Sequence, residues 1–186
     1  MIHYRTRLEM IAELPVGMVG AEIGVQRGDF SAEMLTTRVK RLLLVDCWRP
    51  TANVSADPAN IDEGGHEENY RFTLNRFSRE IAARRVVIMR TTSLFAASWI
   101  QPMSLDFAFI DADHSYEGAL ADLEAWEKTI KPGGWLMGHD HIDNPASRSM
   151  GFGVVAAVDE FCRRHPWELV AVTDEEWPSF QLCRTT

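Results

Sequence analysis

The chain has 186 residues, 46% hydrophobic and 25% charged, with a net charge of −8 at pH 7. That is enough chain for one globular domain with a full core, expected to run over residues 1–186. The acidic balance argues against a nucleic-acid partner, which would need clustered Lys and Arg, and no apolar run reaches the length of a membrane span.

The N-terminus, Met1-Ile2-His3-Tyr4-Arg5, lacks a secretory apolar segment. Cys47, Cys162 and Cys183 are odd in number, and no C-x-x-C occurs, so neither a disulfide framework nor a zinc ribbon is indicated. The expected setting is the cytoplasm and the expected partner a small molecule, with no membrane; a homo-oligomer stays open.

Leu8, Ile11 and Leu14 fall at helical spacing before Pro15, so residues 5–14 are expected as an outer helix that could lie over a cleft. The next stretch, Val19-Gly20-Ala21-Glu22-Ile23-Gly24-Val25-Gln26-Arg27-Gly28-Asp29-Phe30, reads as a buried strand, a glycine turn and a helix opened by Ser31. Gly24 and Gly28 permit a tight turn and close approach to a ligand. Free amides at the helix start favour an anionic group, while Glu22 favours a cationic or hydrogen-donating one. A dinucleotide fingerprint would read G-x-G-x-x-G, whereas Gln26 stands where its second glycine should be. Asp46, ending the strand Arg41 to Asp46, supplies the acid that binds a ribose in either case.

Residues 47–68 hold Pro50, Pro58, Gly64 and Gly65 among polar residues and read as a long loop, a candidate lid. Trp48 at its start could line a pocket or simply pack. Tyr70, Leu74, Phe77 and Ile81 then mark the apolar face of one helix, closed by Arg84-Arg85, before the strand Val86 to Met89. Thr91-Thr92-Ser93 leads a helix over Leu94 to Ile100; these hydroxyls suit capping, contact with a bound base, or both. Leu105 to Asp111 is a doubly buried strand. A helix over Glu117 to Ile130 buries Leu120, Leu123, Trp126 and Ile130, and Lys131-Pro132-Gly133-Gly134 ends it before the strand at Trp135. Val154, Val158 and Phe161 form the inner face of another helix. Residues 168–172 and 179–183 are strands whose short turn permits only an antiparallel pair. The whole is an α/β, doubly wound, mostly parallel sheet with one reversed strand.

Ligands of such sheets sit beyond the strand carboxyl ends, where this chain collects Glu22, Gly24, Asp46, Thr92, Ser93, Asp111-Ala112-Asp113-His114 and His139-Asp140-His141. If their strands are neighbours, Asp111 and Asp140 lie about 5 Å apart and could share a cation or a proton.

Phe109-Ile110-Asp111-Ala112-Asp113-His114-Ser115-Tyr116-Glu117-Gly118, Lys131-Pro132-Gly133-Gly134, Gly138-His139-Asp140-His141 and the run Gly153 to Phe161 resemble the class I S-adenosylmethionine-dependent methyltransferases. The resemblance is closest to the small bacterial branch akin to macrocin and sugar O-methyltransferases, and it runs from about Val19 to Phe161. It implies a seven-stranded Rossmann-like fold with an antiparallel last strand. It further implies S-adenosylmethionine held by Glu22, Gly24, Gly28, Asp46, Thr92, Ser93 and Asp111. Metal-dependent relatives hold magnesium with acids at the places of Asp111, Asp140 and His141. The histidine at His141 is a departure, since magnesium prefers oxygen ligands. His114 matches the place of a base, with Asp111 and Asp140 flanking the substrate hydroxyl. Other readings stand beside this one: His139 and His141 with Asp111 as a transition-metal site, a non-catalytic nucleotide- or cofactor-binding domain, and a dinucleotide-dependent oxidoreductase.

Overall fold

Three apolar runs form the middle of the sheet because their side chains must be covered on both faces. They are β2 (Met18–Ile23), β3 (Val39–Asp46) and β5 (Leu105–Ile110). Around them stand β1 (Ile2–Tyr4), β4 (Val86–Arg90), β6 (Ile130–Gly138), β7 (Trp167–Thr173) and β8 (Phe180–Arg184). The computed structural model describes residues 1–51 and 57–185, and across them the sheet has eight strands in the order β1-β7-β8-β6-β5-β2-β3-β4. All neighbours are parallel except β8, which runs against both β6 and β7.

The two-residue period of the strands divides the core. Ala21, Ile23, Leu43, Val45, Ala108 and Ile110 face one side, packed with α5 (Ser93–Trp99), α6 (Tyr116–Trp126) and α8 (Val154–Arg164). Leu42, Leu44, Phe107 and Phe109 face the other, with α1 (Arg7–Ala12), α2 (Asp29–Met34) and the residue Phe77 between α3 (Glu63–Arg76) and α4 (Ser78–Ala82). A short helix, α7 (Pro145–Ser149), precedes α8. From β2 the chain builds outward through β3 and β4, then returns to the opposite side of β2 with β5. The reversal of strand order therefore lies between β2 and β5, where this class of sheet opens a crevice.

The sheet has one strand more than the seven expected. β1 adds to the edge beside β7, with Ile2 opposite Ala171 and Tyr4 opposite Thr173. The loop expected over 47–68 ends at Asp62, whose side chain accepts the Gly65 amide at 2.8 Å and starts α3 there. Residues 52–56 of that loop lie outside the described residues. The single helix expected from Tyr70 to Ile81 is broken at Phe77. Of its expected apolar face Phe77 is buried and Tyr70 and Ile81 pack on the core, while Leu74 is exposed and the polar His66, Asn69 and Thr73 of α3 are buried as well. Ile130 belongs to β6 rather than to the preceding helix, because a short 3-10 turn at Glu127–Thr129 ends α6. Ser31 lies inside α2 rather than opening it, since that helix begins at Asp29 behind Gly28.

Candidate functional site

The turn after β2 is forced by contact with β5. Gly24 has φ +87, and a Cβ there would overlap the carbonyl oxygen of Asp111. The Asp111 amide in turn donates to Ile23 O at 2.7 Å, so the two strand ends are fastened together. Asp46 closes the turn from the other side. Its Oδ2 accepts the amides of Val25 and Gln26, each at 2.9 Å, and its Oδ1 accepts the Trp48 amide at 2.6 Å. Buried Trp48 then donates from Nε1 to Gln26 O at 2.8 Å. Three of the roughly four lone-pair positions of the carboxylate are used by amides of the described residues, the fourth lying on Oδ1.

Glu22 is buried beneath this turn and accepts a hydrogen bond from Ser31 Oγ. Burial raises its pKa to about 8, against the opposing effect of the Ser31 bond, so the unliganded carboxyl holds its proton at neutrality. α3 and the residue after it cover the turn: Thr73 Oγ1 lies 2.8 Å from Asn69 O and 3.2 Å from Gln26 O, and the Phe77 ring abuts Gly28.

At the ends of β5 and β6 the acids and imidazoles converge. His114 Nδ1 lies 2.8 Å from Asp57 Oδ2, while Nε2 lies 3.2 Å from Asp111 Oδ1 and 3.0 Å from Asp140 Oδ2. Burial alone would lower the His114 pKa; the bonds to Asp111 and Asp57 outweigh it and raise the value to about 10. The imidazole is therefore charged at neutral pH in this network. Burial pushes Asp111 upward, but His114 and His139 outweigh it and hold its carboxyl below the usual range. Arg7 of α1 reaches the same acid, with Nη1 3.7 Å from Asp111 Oδ2 and its guanidinium 4.3 Å over the Phe30 ring. The outer helix thus lies over this end of the sheet.

His139 and His141 part company here. β6 ends at Gly138 and Asp140 takes φ +55, so the strand period does not continue through the three residues. His139 Nδ1 lies 3.3 Å from Asp140 Oδ1 and 3.8 Å from Asp111 Oδ1. One ligand atom each from Asp111, His139 and Asp140 fall within 4.8 Å of one another, a metal-ligand grouping among the described residues. His141 lies apart from that grouping: its ring packs 5.6 Å from Phe180, and its buried Nε2 has no hydrogen-bond partner among the described residues. Burial lowers its pKa.

Thr92 stands at the cap position of α5 without a side-chain capping bond, and Ser93 turns inward. The Ser93 hydroxyl donates to Asp122 Oδ1 at 2.5 Å and accepts from Trp126 Nε1 at 2.9 Å, joining α5 to α6 rather than capping a helix. Burial raises the Asp122 pKa to about 7, moderated by that bond. Sequence reasoning did not single out Asp57, Arg7 or Asp122. Asp57 sits in an aperiodic loop and Arg7 on an ordinary surface helix, so neither carried a signal; Asp122 is the one acid among the inward positions of α6.

A family model described as a methyltransferase domain matches residues 21–141. A search of the curated proteins finds no match. Among solved structures, the N-methyltransferase NodS from Bradyrhizobium japonicum WM9 aligns with a TM-score of 0.66 at 13% identity, covering 97% of this chain and 93% of that one. The O-methyltransferase from Bacillus cereus, solved in complex with SAH, aligns with a TM-score of 0.66 at 15% identity over 96% of this chain and 79% of that one. An rRNA methylase from Streptococcus thermophilus aligns with a TM-score of 0.62 at 12% identity over 96% and 94%. At these identities the structures bear on the fold alone, and they agree in the doubly wound sheet. The family model spans more than half of the sequence, including both the glycine turn and the acid–imidazole cluster, and the chain belongs to the methyltransferase domain family.

Proposed function

We propose that the protein transfers a methyl group from S-adenosylmethionine to a hydroxyl oxygen of a small molecule. The observation that carries this reading is the placement of His114, among Asp57, Asp111 and Asp140, directly beside the Gly24 turn. An amine is nucleophilic once neutral, whereas a hydroxyl needs its proton drawn away as the new bond forms, and this cluster is built to manage a proton.

The residues fit the cofactor. Asp46 keeps an acceptor position for a ribose hydroxyl, and the Gly24 and Gly28 turn leaves room for close approach. Glu22, protonated alone, becomes a counter-charge when an ammonium group lies beside it. Thr92 and Ser93 stand at the end of β4 where the adenine would lie, although the Ser93 hydroxyl is already committed to Asp122. Bound here, the cofactor supplies an electrophilic methyl on a sulfonium. The chain aligns the acceptor oxygen with that methyl and excludes water; alignment of this kind accounts for much of the acceleration in such reactions.

Asp111, His139 and Asp140 are the residues that would hold a divalent cation, with His141 outside the set. Two carboxylates and one imidazole suit manganese, iron or zinc better than magnesium. Such a cation would lower the pKa of the acceptor hydroxyl and take over the counter-charge that His114 now provides. In that state His114 would be the group placed to accept the acceptor's proton. Arg7 from the N-terminal segment and Asp57 from the loop before α3 reach this centre, and these two segments would shape the acceptor's entry.

The test is methyl transfer from isotopically labelled S-adenosylmethionine to paired acceptors that differ only in a hydroxyl or an amine. Labelled ether product with wild-type protein, lost in Asp111→Ala and His114→Ala, supports the proposal. Labelled amine with unreactive hydroxyl partners refutes it.

A further inference from the structure

The charged centre has an uncharged wall. The Phe152 ring lies 4.6 Å from the His114 ring, and Trp177 meets Phe152 edge-on at 5.9 Å and 63°. Both rings are half-buried, unlike the fully buried Trp48, Trp126, Phe107 and Phe161, so each retains exposed surface. They come from separate segments, each fastened in place. The Phe152 amide donates to Ser147 O at 3.0 Å, and the next amide, Gly153, donates to His114 O at 2.8 Å. Trp177 is set by Pro178, whose carbonyl accepts the His141 amide at 2.8 Å. The ring above His114 is thereby tied to the backbone that carries His114.

From this arrangement we infer that Phe152 and Trp177 form the acceptor subsite and that the acceptor is a planar aromatic alcohol, a phenol without a carboxylate. The inference rests on the methyl-transfer reading above. Aromatic side chains bind flat rings through offset and edge-to-face contacts that add to the burial of the ring.

A pyranose can also lie on an aromatic face, but its several hydroxyls need polar partners, and several polar atoms near this wall are already engaged within the protein. Ser147 Oγ and Asn144 are engaged in their capping box, and Glu175 Oε2 accepts from Arg7 N and from Thr173 Oγ1. The two unpartnered atoms nearby, His141 Nε2 and Ser179 Oγ, are closed off from the surface. The turn that carries Trp177 also bears Asp174, Glu175 and Glu176, which disfavours an anionic acceptor. The balance is that of ordinary O-methylation. The phenol oxygen forms a bond to the methyl carbon, the carbon–sulfur bond breaks with its electron pair left on sulfur, and the phenolic proton goes to His114, which must be in its neutral form for the step.

The 186-residue chain is titrated with phenol, catechol, 4-hydroxybenzoate and methyl glucopyranoside, with and without S-adenosylhomocysteine, following tryptophan fluorescence and heat. Expected are saturable binding of phenol and catechol, weaker binding of the carboxylated ring and none of the sugar. Phe152→Ala and Trp177→Ala should each weaken the phenols about tenfold, the loss of one well-placed ring contact, with S-adenosylhomocysteine binding unchanged. Preference for the sugar, no binding of any phenol, or phenol affinities untouched by both substitutions would overturn the inference. Loss of S-adenosylhomocysteine binding in the wild type would instead strike the cofactor reading, because the ring probes are also measured in its absence. A circular-dichroism melt of each variant, together with Trp177→Phe, which should keep most of the affinity, separates loss of the wall from loss of the fold.

Discussion

Asp57 Oδ2 and His114 Nδ1 stand 2.8 Å apart although 57 residues separate them in the chain. The contact carries the loop after β3 across to the end of β5, and it fixes the imidazole so that Nε2 faces Asp111 and Asp140. Burial would raise the Asp57 pKa, but the His114 bond and the Ala59 amide outweigh it and hold the carboxyl low.

Asp57→Ala should therefore act on His114 and on the loop together. Its removal takes away one of the acids that raise the His114 pKa, so that value, followed by NMR on the imidazole, should fall from about 10. Methyl transfer should drop by about 10–100-fold, the usual cost of losing a residue that orients a functional histidine. Asp57→Asn, which keeps an acceptor oxygen, should recover part of the rate.

Glu22 gives a pH signature. Its folded pKa of about 8 lies above the ordinary 4.5, so the folded state binds an extra proton between those values. The stability linked to that proton is complete below 4.5 and is lost as pH rises through about 8. Thermal melts of the wild type should decline over that window, and those of Glu22→Gln should decline less. Binding of a ligand with an ammonium group beside Glu22 should release a proton, so its affinity should rise with pH across the upper part of the window.

The glycine turn allows a paired comparison. Gly17 and Gly24 have nearly the same φ, +88 and +87, but a Cβ on Gly17 meets nothing within 4 Å among the described residues whereas one on Gly24 overlaps Asp111 O. Gly17→Ala should cost about 1–2 kcal/mol, the usual penalty for a left-handed alanine. Gly24→Ala must also part β2 from β5, so it should cost clearly more in urea unfolding and abolish cofactor binding.

Metal binding should discriminate between the two histidines that flank Asp140. In calorimetric titration with manganese or zinc, His139→Ala and Asp140→Asn should weaken binding by at least about tenfold, while His141→Ala should leave it unchanged. The reverse order would place the third ligand at His141.

The sheet was legible because its strands are apolar runs closed by glycine or an acid, a pattern that burial on both faces imposes. The glycine turn and Asp46 were legible for the same reason: each lies where such a run stops. β1 was not, since Ile2–Tyr4 is three residues on an exposed edge, held by backbone pairing to β7 rather than by burial. Nor were the buried polar residues of α3. Thr73 meets the carbonyls of Asn69 and Gln26, a need that hydrophobic spacing does not register. The third member of the metal-ligand grouping turned on a single backbone angle. The extended strand assumed in the sequence stops at Gly138, and the positive φ of Asp140 leaves His139 with the acids while His141 joins Phe180.

The account rests most heavily on a sulfonium cofactor lying across the ends of β2 and β3. Calorimetric titration of the 186-residue chain with S-adenosylhomocysteine and, separately, with NAD tests it directly. Saturable binding of S-adenosylhomocysteine, abolished in Asp46→Ala, with no heat from NAD, is the predicted result. Binding of NAD in place of S-adenosylhomocysteine would contradict it.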